Sequence, residues 1–305
     1  MTTANPCRRR SFTLVEMLVV IAIIGILAAI LVPTLYRVVI KARQNVIAQE
    51  LNQLHLAIES YKQKFGDYPP DFTSVRVVAD LTTSNQLVVR HLRKGFPRHQ
   101  ENLLDVFTDG NTSNPALQKP NPAEALVFWL AQMKEDPRQP LSAPPNNFVS
   151  LFPFDEKRLV YTRTIGDPNK PNSQHDLYVY VPPQGKDMPY VYFDSRIYSD
   201  ASNLPGVTPA TPVASLSVYN DASSGQTLYP YATRVNATAP LTMANRTTYQ
   251  LISAGLDGEY GDVSSVTAGV ASTYKVFPFG TNFAIGDLDN IANFSDGKIF
   301  EDHLE

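Results

Sequence analysis

Hydrophobic and polar positions divide this chain into three regimes. From Phe12 to Leu35 nearly every residue is apolar and Glu16 is the only charge. As a helix this run is about 36 Å long at ~1.5 Å per residue, enough to cross the hydrocarbon core of a bilayer. Beyond Thr34 the pattern becomes one-sided. Ile47, Leu51, Leu54, Ile58, Tyr61 and Phe65 recur at spacings of three and four, while Gln44, Asn45, Gln49, Asn52, Gln53, Lys62 and Gln63 fill the other side. That spacing predicts an amphipathic helix continuing from the first run, ended by Gly66 and Pro69-Pro70. One helix from Phe12 to Phe65 would be near 80 Å long at ~1.5 Å per residue, with Gly25 and Pro33 as its points of bending.

The third regime has a period of two. Leu159–Arg163, Leu177–Val181, Tyr190–Phe193 and Tyr249–Ser253 are short, rich in Tyr and Val, and bounded by Pro, Asn and Asp, which predicts strands. The Ser-, Thr-, Asn- and Pro-rich stretch 194–240 between them reads as loops. Strands joined by turns without helical crossovers argue for an antiparallel sheet, one face of which the amphipathic helix would cover. The predicted class is α+β. Residues 71–155 are less patterned. A short helix is expected over 122–134, with Ala125, Leu126, Trp129, Leu130 and Met133 on one face. Segments 111–122 and 137–147 read as surface loops. Arg90, His91, Arg93, Lys94, Arg98 and His99 make a small basic patch, read as a solvated face or as a site for phosphate or an acidic partner.

Composition adds mainly exclusions. Charged residues are 18% and hydrophobic ones 43%, the balance of a folded chain. The 26 basic and 29 acidic residues leave no nucleic-acid-binding surface in prospect. The single cysteine, Cys7, precedes the apolar run and supports no disulfide framework. Arg8-Arg9-Arg10 flank that run on its N-terminal side, which the positive-inside rule keeps in the cytoplasm, so everything after Leu35 is expected outside.

Two details separate the apolar run from a signal peptide. Leu31-Val32-Pro33-Thr34 offers no small-residue cleavage site, and the helical pattern continues past it. Glu16 is also unusual, since an acid at mid-membrane depth costs about 2.5–3.5 kcal/mol on insertion scales and such residues tend to be functional. The stretch Arg8-Arg9-Arg10-Ser11-Phe12-Thr13-Leu14-Val15-Glu16, with its apolar continuation to Pro33, resembles the leader and N-terminal helix of type IV pilins and type II secretion pseudopilins. The resemblance implies cleavage between Ser11 and Phe12 by a prepilin peptidase and methylation of the new N-terminus. It further implies pairing of Glu16 with the N-terminal amine of a neighbouring subunit in a helical filament built on an inner-membrane assembly platform. Ser11 stands where the family usually has glycine. Lys64-Phe-Gly-Asp-Tyr-Pro-Pro70 resembles the Gly-x-Tyr-Pro turn that follows the helix in major pseudopilins. The expected division is a leader over 1–11, an assembly helix over 12–35, its amphipathic continuation over 36–66, an insertion over 67–158 and a β-rich region over 159–305.

Near the C-terminus, Leu251-Ile-Ser-Ala-Gly-Leu-Asp257-Gly-Glu-Tyr-Gly-Asp262 and Gly286-Asp287-Leu-Asp289-Asn290 resemble the acidic, glycine-rich loop that binds calcium in major pseudopilins. Calcium takes six to eight oxygens, which closely spaced Asp, Asn and carbonyls on a turning backbone can supply. The candidate ligands are Asp257, Asp262, Asp287, Asp289 and Asn290; the alternative is a pair of Asp/Gly turns without metal. Residues 263–284 separate the two halves. His55, His91, His99, His175 and His303 show no zinc spacing, and no G-x-S-x-G, Walker A or G-x-G-x-x-G motif occurs. The expectation is a structural filament subunit and not an enzyme. The rival is a membrane-anchored periplasmic binding or enzymatic domain with a prepilin-type N-terminus, which would remain unprocessed and monomeric.

Overall fold

A computed structural model describes residues 14–134, 136–142, 150–198, 218–221, 224–234, 236, 242–261 and 274–304. The first helix, α1, is Leu14–Phe65, a single element of 52 residues that contains both Gly25 and Pro33. Pro33 lacks an N–H, and the neighbouring Thr34 hydroxyl donates to the carbonyls of Ile30 and Leu31 at 3.0 and 2.8 Å. The helix ends where the spacing predicted. The Gly66 N–H donates to the Lys62 carbonyl at 2.7 Å, with Gly66 at φ +82°, a left-handed cap that suits glycine. By compactness the chain divides into two units, Met1–Arg43 and Gln44–Glu305.

In the first unit, residues 14–39 of α1 are all exposed. The second unit holds the core. There α1 buries Gln44, Ile47, Ala48, Leu51, Leu54, Ala57, Ile58 and Tyr61, whereas Phe65, read on the same face, is half-buried; Gln44, read on the polar side, is buried because its amide donates to Asp289. Glu50, on the flank of that face, accepts from the Arg158 guanidinium through both terminal nitrogens and from the hydroxyls of Tyr180 and Tyr190, each at 2.9 Å.

Among the described residues the stretch 67–158 carries three further α-helices: α2 (Leu87–Gly95), α3 (Leu103–Phe107) and α4 (Pro122–Ala131). The last differs from its expected form. It ends at Ala131, before the expected Lys134, and residues 122–130 are all buried, where one apolar face was expected. The reason is Glu124, which is fully buried because its carboxylate is saturated. It closes a capping box with Asn121 and receives Arg163 through two bonds of 2.8 and 2.9 Å. Trp129 donates its indole N–H to the Pro70 carbonyl at 2.8 Å and stacks on Phe72 at 5.3 Å between ring centroids. The region is therefore part of the core.

The strands are β1 (Leu159–Ile165), β2 (His175–Tyr180), β3 (Val191–Asp194), β4 (Tyr219–Asn220), β5 (Thr227–Leu228), β6 (Ala232–Thr233), β7 (Thr242–Met243), β8 (Tyr249–Ser253), β9 (Val276–Phe277) and β10 (Ile291–Ala292). They form small sheets in the orders β1-β2, β10-β8-β3, β4-β5 and β7-β6-β9. Between β3 and β4 stands a single turn of helix, α5 (Ser195–Tyr198). The fold is α+β and mainly antiparallel, as expected. One pair departs: β6 and β9 run parallel, Ala232 opposite Val276, which the long connection between them permits. The stretch 194–240 is also less loop-like than its composition, since β4, β5 and β6 lie within it; residues 199–217 lie outside the described residues.

Candidate functional site

Two places singled out by the sequence bear on function. At the N-terminus, Ser11, Phe12 and Cys7 lie outside the described residues. Glu16 lies in the first turn of α1 and is exposed. Around it Leu14, Val15, Met17 and Leu18 are more than half exposed, and the large apolar side chains continue outward to Val39. Among the described residues α1 is the one helix long and apolar enough to cross a membrane. Such a surface has to be covered by lipid or by other apolar helices.

The second place is the C-terminal loop pair. Here the structure brings the two predicted halves together, but not as a cluster of free oxygens. Asp289 is a hub for N–H donors: one carboxylate oxygen accepts from the backbone of Leu256 and Asp257, and the other accepts from the Gln44 amide of α1 at 2.9 Å. Gly255, at φ +63°, makes this approach possible, because a Cβ there would lie 2.1 Å from the Asp289 carbonyl. Asp257 accepts from the Glu259 N–H at 2.9 Å. Burial, reinforced by the charges of Asp289 and Glu259, raises its carboxyl to about 6.

Asp287 is fully buried, and a cation from within the chain already sits against it. Lys275 donates from Nζ to Asp287 at 2.7 Å and to the Tyr260 carbonyl at 2.9 Å. The Tyr231 hydroxyl donates to the same carboxylate oxygen, and the Ala284 N–H donates to the other at 2.7 Å. Burial pushes the Asp287 carboxyl up, and Lys275 opposes it. Asn290 is buried with its amide 2.9 Å from the Tyr231 hydroxyl. Asp262 lies outside the described residues. Asp287 and Asp289 thus do not fit a calcium ion, because donors already occupy both oxygens of each carboxylate. No group of three or more His, Cys, Asp or Glu among the described residues is arranged to hold a metal. Sequence reasoning did not single out Lys275. Its signal is a lone cation within the otherwise apolar Tyr274-Lys275-Val276-Phe277.

Comparison with known proteins agrees with the N-terminal reading. Residues 6–32 match the family described as the prokaryotic N-terminal methylation motif. The chain is similar to the type IV major pilin protein PilA of Myxococcus xanthus (strain DK1622), 39% identical over 67 residues, covering 21% of this chain and 30% of that protein. It is also similar to the type II secretion system core protein G of Escherichia coli (strain K12), 30% identical over 89 residues, covering 29% of this chain and 61% of that protein. The matched part therefore spans under two thirds of either relative. No solved structure matches the chain.

Proposed function

We propose that this chain is a structural subunit of a type II secretion pseudopilus or a type IV pilus-like filament. In this reading it enters the inner membrane with its N-terminus cytoplasmic and its head periplasmic. A prepilin peptidase cuts between Ser11 and Phe12, Phe12 is N-methylated, and an inner-membrane assembly platform feeds the subunit into the filament. The observation that carries the reading is the register of four features: a basic leader, Phe12, an acid four residues on in the first helical turn, and an exposed apolar helix beyond it. The methylation motif and the two relatives support it.

The physical logic follows from where apolar surface can go. A helix greasy on all sides is stable in lipid, and it leaves lipid only for a filament core of like helices. Glu16 in that core would be an expensive buried charge unless compensated, and cleavage before Phe12 creates a compensating amine on each neighbour. Processing and assembly are thus one chemical sequence. Intact-mass and N-terminal peptide analysis of the protein from its native membrane tests the first step. The reading expects a chain beginning at N-methylated Phe12; a chain still beginning at Met1 and monomeric would contradict it.

A further inference from the structure

The basic run of α2 lines a cavity in the head. The cavity is about 540 Å3 and is lined by Asp67, Ser84, Leu87, Arg90, His91, Arg93, Lys94 and Arg196. Four cations thus converge from α2 and from the start of α5, against one acid. That acid is already shared: Asp67 lies 2.8 Å from Arg196 and 3.7 Å from Lys94. Arg196 is also held by the buried Asp194 at 2.7 Å and by the Tyr68 carbonyl at 2.7 Å, so its guanidinium is fixed in place. Arg90 and Arg93 are exposed, and neither side chain has an acidic or hydrogen-bonding partner among the described residues.

His91 supplies the independent observation. It is 1% exposed, and its ring forms part of the cavity wall. Nε2 is 2.7 Å from the Tyr61 hydroxyl, while Nδ1 is buried with no partner. Burial, helped by the charges of Arg196 and Lys94, keeps the imidazole neutral. The buried Tyr61 phenol stays protonated and engages Nε2, so Nδ1 is the ring nitrogen without a partner, a donor or an acceptor according to tautomer. A buried polar atom without a partner is costly and calls for one.

We propose that this cleft binds a phosphate-type oxyanion, with the exposed Arg90 and Arg93 as clamps, Arg196 as the fixed charge and the His91 imidazole as a hydrogen-bonding group in the wall. Guanidinium groups are matched to tetrahedral oxyanions by their paired N–H geometry. The ligand is a phosphate ester or free phosphate, and a lipid headgroup is one source of the former.

Calorimetric titration of the full chain in detergent, with inorganic phosphate and with glycerol phosphate as the probes, tests the proposal. Saturable binding is expected for at least one of them, weakened roughly tenfold or more by Arg90→Gln with Arg93→Gln. Lys157→Gln, an exposed cation elsewhere, should leave it unchanged. Both arginines are on the surface, so the double variant folds. Tighter binding of glycerol phosphate would place the source in a lipid headgroup, and tighter binding of inorganic phosphate would place it in free anion. No saturable binding of either probe, or equal binding by the double variant, overturns the proposal.

Discussion

Glu50 of α1 and Arg158 at the threshold of β1 form a two-point ion pair, and the hydroxyls of Tyr180 and Tyr190 close on the same carboxylate. The pair is largely shielded, with side-chain exposures of 11% and 22%. It joins the amphipathic half of the helix to the β1-β2 hairpin through groups 108 residues apart in sequence. Charge-assisted bonds of this kind are strong, and breaking one partner leaves the other stranded.

Replacing Glu50 by Ala should therefore cost about 3 kcal/mol of stability, because a guanidinium and two phenols lose their acceptor together. Glu50→Gln keeps an acceptor for the tyrosines and should cost less. Thermal unfolding followed by tyrosine fluorescence checks both; equal midpoints for Glu50→Ala and wild type would remove the pair from the account.

The C-terminal loops make a second prediction. With Asp287 occupied by Lys275 and Asp289 by N–H donors, chelator should leave the unfolding midpoint unchanged, whereas a bound calcium ion would lower it on removal. Lys275→Met should destabilise by roughly 3 kcal/mol, since it leaves the Asp287 carboxylate buried without its cation. A midpoint that falls with chelator would show that an ion is held after all, with Asp257 and Asp262 as the carboxylates to suspect.

His175 makes the acid side of the stability curve predictable. It is 5% exposed against Phe128, and its Nε2 has no partner. Burial lowers its pKa from 6.5 to about 4. A depressed histidine contributes stability that is full above 6.5 and is lost as pH falls toward 4, because the unfolded chain takes up the proton first. By pH 5 the loss is about 2 kcal/mol. His175→Phe removes this dependence, so the difference between variant and wild type should move in the variant's favour between pH 7 and pH 5. The comparison is needed because buried Asp71, raised to about 6 by burial and by Asp194, acts in the opposite sense over the same range. A difference that stays constant with pH would contradict the assignment.

Much of this was legible in the sequence where a single periodicity decides the outcome. The helix end at Phe65 followed from apolar spacings of three and four and a glycine, and β1, β2, β3 and β8 followed from alternation bounded by turn residues. Other features depend on partners distant in the chain. Glu124 looks like a solvent-facing helical residue until Arg163 arrives to neutralise it, so α4 read as half-buried. Asp287 looks like a metal ligand until Lys275 is brought to it across the intervening segment. A carboxylate's role depends on which donor reaches it first, and no local pattern records that.

In the proposed filament Glu16 is an assembly residue and not merely a tolerated charge in an anchor. The most direct test is Glu16→Ala in the native host, with membrane insertion, cleavage before Phe12 and filament yield measured side by side. The account predicts normal insertion and cleavage with filaments abolished or greatly reduced, because the amine of each processed neighbour loses its partner. Filaments at wild-type yield from the Glu16→Ala chain would contradict it.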